Sequence, residues 1–134
     1  MTATARDILS EDLDAVVTAC RSEFEQLAGT RLLITGGAGF LGYYLVQSPL
    51  RFNEGVPARE RIQVTVYDNY ARGVPAWLED LGARADVTLV RHDVRESLPA
   101  EAGEANYIVH AAGIASPVYY RLHPLETMDA NVIG

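Results

Sequence analysis

Leu32-Leu33-Ile34-Thr35-Gly36-Gly37-Ala38-Gly39-Phe40-Leu41-Gly42 is the stretch on which the reading of this chain turns. An apolar run leads into it, and Phe40, Leu41, Tyr44 and Leu45 carry on beyond it at helical spacing. Strand, glycine turn and helix in that order form the first half of a dinucleotide-binding unit. Glycine at 36 and 37 permits a tight turn that a Cβ would resist. Gly39 lets the backbone approach a pyrophosphate, and Gly42 lets the helix pack close to the strand. The helix N-terminus then turns free N–H groups and a positive dipole end towards the phosphates. Glycine-rich turns are common by themselves. Its place between a strand and a helix is what favours a nucleotide cofactor over a bland turn.

The chain around this motif has 134 residues, enough for one domain with a small core. No window approaches the 18 or so uninterrupted apolar residues of a membrane span. Arg6, Asp7, Glu11 and Asp12 stand where a secretory signal would carry a basic segment and an apolar run. One cysteine, Cys20, excludes an intrachain disulfide and suits a reducing cytoplasm. A net charge of −7 argues against non-specific nucleic-acid binding. All 11 basic side chains are arginine, so chemistry that needs a lysine cannot be done by this chain alone. No residue set is assigned to a metal.

Residues 1–29 read as an acidic helical extension, with Ser10 as N-cap and Gly29 as the C-terminal stop. Leu13, Val16, Val17, Cys20, Phe24 and Leu27 supply one helical stripe, which suits a docking or oligomerisation helix. Cys20 on that stripe reads as a packed thiol. Residues 30–134 read as the nucleotide domain. Its first helix is expected to start near Phe40 and to end or kink at Pro49, with a loop over 50–61. Ile62, Val64, Val66 and Tyr67 form a second strand that closes on Asp68. An acid there can accept hydrogen bonds from both ribose hydroxyls and would repel the extra phosphate of NADP, which favours NAD. It lies 26 residues past Gly42, against a usual spacing of about 20, and the loop accounts for the excess. The bland alternative is a turn started by Asp68 and Asn69. Arg72 pulls the other way, since an arginine there can hold a 2′-phosphate.

A short helix carrying the packing residue Trp77 precedes a third strand, Val87, Leu89 and Val90. After it, Asp93 and Val94 either contact an adenine or simply begin a turn. Tyr107 to His110 is the fourth strand, with His110 read as a hydrogen-bonded core histidine. It runs into a second small-residue turn, Ala111-Ala112-Gly113, against which a nicotinamide ribose can lie. Ser116, Pro117, Tyr119 and Tyr120 form a lip at the carboxyl edge of the sheet, where ligands bind in open α/β folds. A helix from Pro124 carries Leu125, Met128, Val132 and Ile133, and the fourth strand is left as an apolar edge.

With these pieces placed, residues 31–134 resemble the extended short-chain dehydrogenase/reductase superfamily, in its sugar-nucleotide epimerase/dehydratase branch. The matching motifs are Thr35 to Gly42, Tyr67-Asp68-Asn69, His92-Asp93-Val94, His110-Ala111-Ala112 and Asn131 to Gly134. Within the branch, the run from His110 to Pro124 looks most like UDP-glucuronate decarboxylases. The resemblance implies an α/β, Rossmann-type parallel sheet of strand order 3-2-1-4, with later strands missing. It implies that Gly36, Gly39, Phe40 and Leu41 hold the pyrophosphate of NAD. Asp68 and Asn69 would hold the adenosine ribose, Asp93 and Val94 the adenine, and Ala111 and Ala112 the nicotinamide side. Ser116 and Tyr120 would border a nucleotide-sugar substrate, and a homo-oligomer is expected.

Two departures stand beside the resemblance. Glu126 and Asp129 occupy a helix where the family tends to carry lysines, and acids there repel a uronate or a diphosphate. The family oxidises the sugar C4 hydroxyl with a Tyr-x-x-x-Lys pair plus Ser or Thr, and this chain contains no lysine. The expectation is therefore the N-terminal part of an NAD-dependent sugar-nucleotide epimerase, dehydratase or decarboxylase, inactive alone. A non-catalytic nucleotide-binding module and a self-associating structural module are the alternatives.

Overall fold

The computed structural model describes residues 4–134. Four parallel strands, β1 (Arg31–Thr35), β2 (Gln63–Asp68), β3 (Val87–Arg91) and β4 (Tyr107–His110), make one sheet in the order β3-β2-β1-β4. Parallel pairing sets Leu33 beside Thr65 and Ile108, and Thr65 beside Thr88. β2 and β3 extend to one side of β1 and β4 lies on the other, so the topological switch point falls between β1 and β4. Ligands of open α/β sheets bind outside the carboxyl ends of the strands at such a point.

Strand side chains alternate between two faces, and the two faces are covered very differently. Leu32, Ile34, Val64 and Val66 face a main core that also takes Val46, Leu50 and Phe52 of α3 (Gly42–Asn53) and Leu78 of α4 (Ala76–Leu81). Leu33, Tyr67 and Val90 face a small second core closed by Ala102 and Ala105. The connection to β4 crosses this side as a 3-10 turn over Ala100–Glu104. Trp77 packs edge-on against Tyr43, with ring centres 5.0 Å apart, as its packing role required.

The N-terminal segment departs from the expected single helix. α1 (Ala5–Ala19) starts a turn and a half earlier, capped by Thr4 rather than Ser10. The Thr4 hydroxyl accepts from the Asp7 N–H, and the Asp7 carboxylate accepts from the Thr4 N–H at 2.8 Å, a reciprocal capping box. Ser10 lies inside the helix, its hydroxyl 3.4 Å from the Arg51 guanidinium. The helix is interrupted at Cys20, whose backbone (φ −108°, ψ 30°) leaves the helical region, and resumes as α2 (Arg21–Leu27). Gly29, at φ +72°, ends it in the left-handed conformation that stops helices. The stripe joins the main core. Phe24 is buried and stacks on Phe52 at 5.6 Å, and Val16, Val17, Cys20 and Leu27 pack around it.

α3 begins at Gly42 rather than Phe40, and it runs through Pro49 to Asn53. An interior proline costs a helix about 3 kcal/mol. Leu50 and Phe52, both buried beyond it, contribute about 1.5–3 kcal/mol each, so burial wins. The expected loop over 50–61 is correspondingly shorter. Asn53 is fully buried (0% exposed), and its side chain donates to the Ile62 carbonyl and accepts from the Ile62 N–H, both at 2.8 Å. That bracket fixes the entry to β2. The chain closes with α5 (Pro117–Leu122) and α6 (Pro124–Val132), whose apolar stripe is exposed, and β4 is an open edge.

Candidate dinucleotide site

The glycine turn is shaped by contacts that exclude side chains. Gly36 sits at φ +70° and donates its N–H to the Tyr67 carbonyl at 2.7 Å. A Cβ on it would lie 2.5 Å from the Ala112 backbone, so the turn after β1 touches the turn after β4. Gly42 is also close-packed, but against the Gly37 carbonyl within the turn. Gly37, rather than Gly42, abuts the strand, where a Cβ would overlap Val66. Gly39 donates to the Gly36 carbonyl at 3.0 Å. Among the described residues no side chain caps the start of α3, and the Tyr44 N–H turns back to the Leu41 carbonyl at 3.2 Å. Phe40 is 93% exposed at the rim and Leu41 is exposed beside it.

Asp68 does two things at once. Its Oδ2 accepts from the Ala38 N–H at 3.0 Å and its Oδ1 from the Tyr70 N–H at 2.8 Å. The second bond is the Asp-led turn weighed from the sequence; the first ties β2 to the glycine turn. Each carboxylate oxygen has a further lone pair for a hydroxyl donor. Asn69 accepts from the Ala71 N–H, and its carbonyl accepts from Arg91 at 2.8 Å. Arg72 holds its guanidinium 5.3 Å from the centre of the Tyr119 ring.

Asp93 is already occupied. The Arg95 side chain grips its two oxygens at 2.9 and 2.7 Å, and the Arg95 N–H adds a third bond. That guanidinium, with a smaller contribution from Asn69, holds the Asp93 carboxyl far below the usual carboxylate range. An adenine amine would have to share Asp93 with Arg95. The sequence reading did not register Arg95, although its offset of two from an acid was a visible signal. His92 stood there only as part of the His92-Asp93-Val94 motif, with no role of its own. That ring is buried beside Tyr67, centres 5.2 Å apart, and its Nε2 has no hydrogen-bond partner.

His110 is hydrogen-bonded at both nitrogens, but it stands on the exposed edge strand and not in the core. Nδ1 lies 2.8 Å from the Thr35 hydroxyl and Nε2 3.2 Å from the Ala130 carbonyl. A carbonyl only accepts, so Nε2 donates to it, and Nδ1 pairs with the Thr35 hydroxyl. His110 thus pins α6 to the ends of β1 and β4.

One cavity of about 710 Å³ opens at the switch point. Gly36, Gly39, Phe40, Asp68, Asn69, Arg72, Asp93, Val94, Ala111, Ala112 and Ser116 all line it, together with Tyr67, His92, Arg95, His123 and Glu126. Leu41 and Tyr120 lie outside the lining. Among the described residues no cluster of three His, Cys, Asp or Glu side chains could hold a metal. No described helix is long and apolar enough to cross a membrane.

Comparison with known proteins places this architecture. UDP-glucuronic acid decarboxylase 6 of Arabidopsis thaliana is 38% identical over 113 residues, which is 84% of this chain and 30% of that protein. UDP-glucuronic acid decarboxylase 1 of Danio rerio is 36% identical over 104 residues, 78% of this chain and 22% of its own. The chain therefore spans less than a third of the length of the curated relatives it matches. Among solved structures, the UDP-N-acetylglucosamine 4-epimerase of Methanobrevibacter ruminantium superposes with a TM-score of 0.60 at 22% identity, over 78% of this chain and 31% of that one. The NAD-dependent NDP-hexosamine 5,6-dehydratase of tunicamycin biosynthesis superposes with a TM-score of 0.53 at 26% identity, over 75% and 29%. These likenesses carry the Rossmann-type fold. The profile of the NAD-dependent epimerase/dehydratase family matches residues 32–134, and the chain belongs to that family, whose cofactor is NAD.

Proposed function

We propose that this chain is the NAD-holding part of a sugar-nucleotide epimerase, dehydratase or decarboxylase that works through a 4-keto sugar. The observation that carries the reading is the convergence of three features on one cavity: the glycine turn, Asp68, and the Ala111-Ala112 turn. The residues present fit a dinucleotide. A side chain at Gly36 would fill the floor where the two turns meet, and the turn from Gly36 to Phe40 that leads into α3 lines the same opening. Asp68 keeps lone pairs for the ribose hydroxyls, with Asn69 beside it.

In this reading the backbone from Gly36 through Gly39 to Phe40 binds the diphosphate, with Leu41 following just outside the cavity, and Asp68 orients the adenosine. Val94 packs on the adenine, and Asp93 accepts from its amine once Arg95 yields an oxygen. Ala111 and Ala112 border the nicotinamide side, and Ser116 and Tyr120 the sugar. Bound NAD supplies the hydride acceptor for the C4 hydroxyl. The chain's own groups bind and orient, because a Tyr-x-x-x-Lys pair does not occur in this sequence. We further read residues 1–29 as an extension to a domain over 30–134, a cytoplasmic setting from the lone cysteine, and a homo-oligomer from the exposed apolar helix faces.

Calorimetric titration of the protein with NAD and ADP-ribose tests the reading. Saturable heat with both is expected, and a protein that binds neither ligand overturns it. The missing lysine also supports a second reading, a nucleotide-binding module without catalysis. Turnover of a UDP-sugar in the presence of NAD by the isolated chain would exclude that one.

A further inference from the structure

Two arginines line the cavity, and they differ in what they touch. Arg95 is paired with Asp93 at 2.7 Å and is drawn as well by Glu126 and Asp129. Arg72 faces the Tyr119 ring. An aromatic face attracts a guanidinium without neutralising it, so Arg72 keeps its charge and its N–H donors for another acceptor. The cavity also carries Asp68, Asp93 and Glu126. A ligand with phosphates meets repulsion from these acids, and Arg72 is placed to offset it.

The fold brings the pair together from two separate elements. Arg72 rides on the loop after β2, between Tyr70 at φ +51° and Gly73 at φ +83°. These left-handed residues bend the loop sharply, and the Asp68 carboxylate holds Tyr70 by its N–H. Tyr119 belongs to α5, which packs chiefly on α6. We propose that Tyr119 is a positioning residue that holds Arg72 over the cavity, where the guanidinium meets a phosphate of the bound dinucleotide. The contact joins α5 to the adenosine side of the mouth. The assignment rests on the dinucleotide reading given above. The phosphate is the diphosphate bridge or a 2′-phosphate, and the recognising chemistry is the same for both.

Calorimetry with ADP-ribose, NADP and adenosine separates these cases. Arg72→Ala is expected to weaken phosphate-bearing ligands by about tenfold and to flatten their salt dependence. Adenosine binding stays unchanged. Tyr119→Leu weakens the same ligands by about two- to fivefold, whereas Tyr119→Phe, which keeps the aromatic face, binds like the parent. ADP-ribose and NADP falling together identify the diphosphate; NADP falling alone identifies the 2′-phosphate. The proposal is overturned if Tyr119→Leu binds ADP-ribose and NADP like the parent, or if Tyr119→Phe is as weak as Tyr119→Leu. A parent that binds neither NAD nor ADP-ribose overturns the dinucleotide reading itself. Indifference of Tyr119→Leu in a parent that binds both overturns only the positioning.

Discussion

Asp68 holds the Ala38 and Tyr70 N–H groups, and in the proposed reading its carboxylate also orients the adenosine ribose; substitution separates the two tasks. Asparagine keeps one acceptor oxygen and replaces the other with an N–H₂ group, which cannot accept from both the Ala38 and Tyr70 N–H groups. Asp68→Asn should weaken NAD by about tenfold, the loss of charge-assisted bonds. NADP should weaken less, because the repulsion of a 2′-phosphate goes as well. Titrating both cofactors checks this, and an unchanged NAD:NADP ratio would remove Asp68 from recognition. Gly36→Ala is a harsher change. The residue must adopt φ +70°, and its Cβ meets the Ala112 backbone, so a loss of about 2 kcal/mol or more in urea unfolding is expected. The place of Asp68 was readable because a strand followed by an acid has a limited set of outcomes. The engagement of Asp93 was not. Arg95 reaches it only because the backbone turns between them, with the Arg95 N–H on the same carboxylate oxygen as its Nε.

At the scale of elements, local rules predicted the strands and failed where burial opposed them. An apolar run placed β1, strand-favouring apolar residues placed β2 and β3, and Gly29 stopped α2 as foreseen. Pro49 did not stop α3, since the chain past it carries Leu50, Phe52 and Asn53, all buried. Asn53 was invisible in the sequence, because its partners lie nine and 33 residues away. Asn53→Ala leaves the Ile62 N–H and carbonyl without their partner in a dry interior, an expected loss of about 2–4 kcal/mol in urea unfolding. The same cluster gives a pH signature. Arg84, and less strongly Asn53, hold the Asp86 carboxyl below its ordinary range. Folded Asp86 therefore resists protonation longer than unfolded Asp86, whose pKa is about 3.9. Its stabilising contribution is full above that value and fades as the pH falls through the lower folded one. The stability gap between the parent and Asp86→Asn should be constant from neutral pH to about 5 and shrink below about 4. A gap that widens on acidification would contradict the pairing.

The whole molecule is finished on one side and open on the other. The α1–α2 extension closes the α3 face: Phe24 stacks on Phe52, Tyr44 donates to Asp12 at 2.7 Å, and Arg51 holds Asp14 at 2.8 Å. On the opposite side, Leu125, Met128 and Val132 stand exposed on α6, Val118 and Leu122 on α5, and Tyr107 and Ile108 on the unpaired edge of β4. The edge position of β4 was legible in the strand order that the motifs imply; the exposure of the α6 stripe required the positions of the helices. Apolar area on this scale is a recognised mark of association, and an uncovered strand edge is a template for pairing. Sedimentation velocity at micromolar concentration should therefore show species larger than the monomer. Two charge substitutions separate the surfaces. Met128→Glu acts on the helix face and Ile108→Lys on the strand edge, and neither removes a buried side chain, since the two are 55% and 55% exposed. If the helices form the contact, Met128→Glu returns the monomer with unchanged thermal unfolding while Ile108→Lys does nothing. If the edge forms it, the effects exchange. A parent that sediments as a single monomer would show that neither surface drives association in this chain.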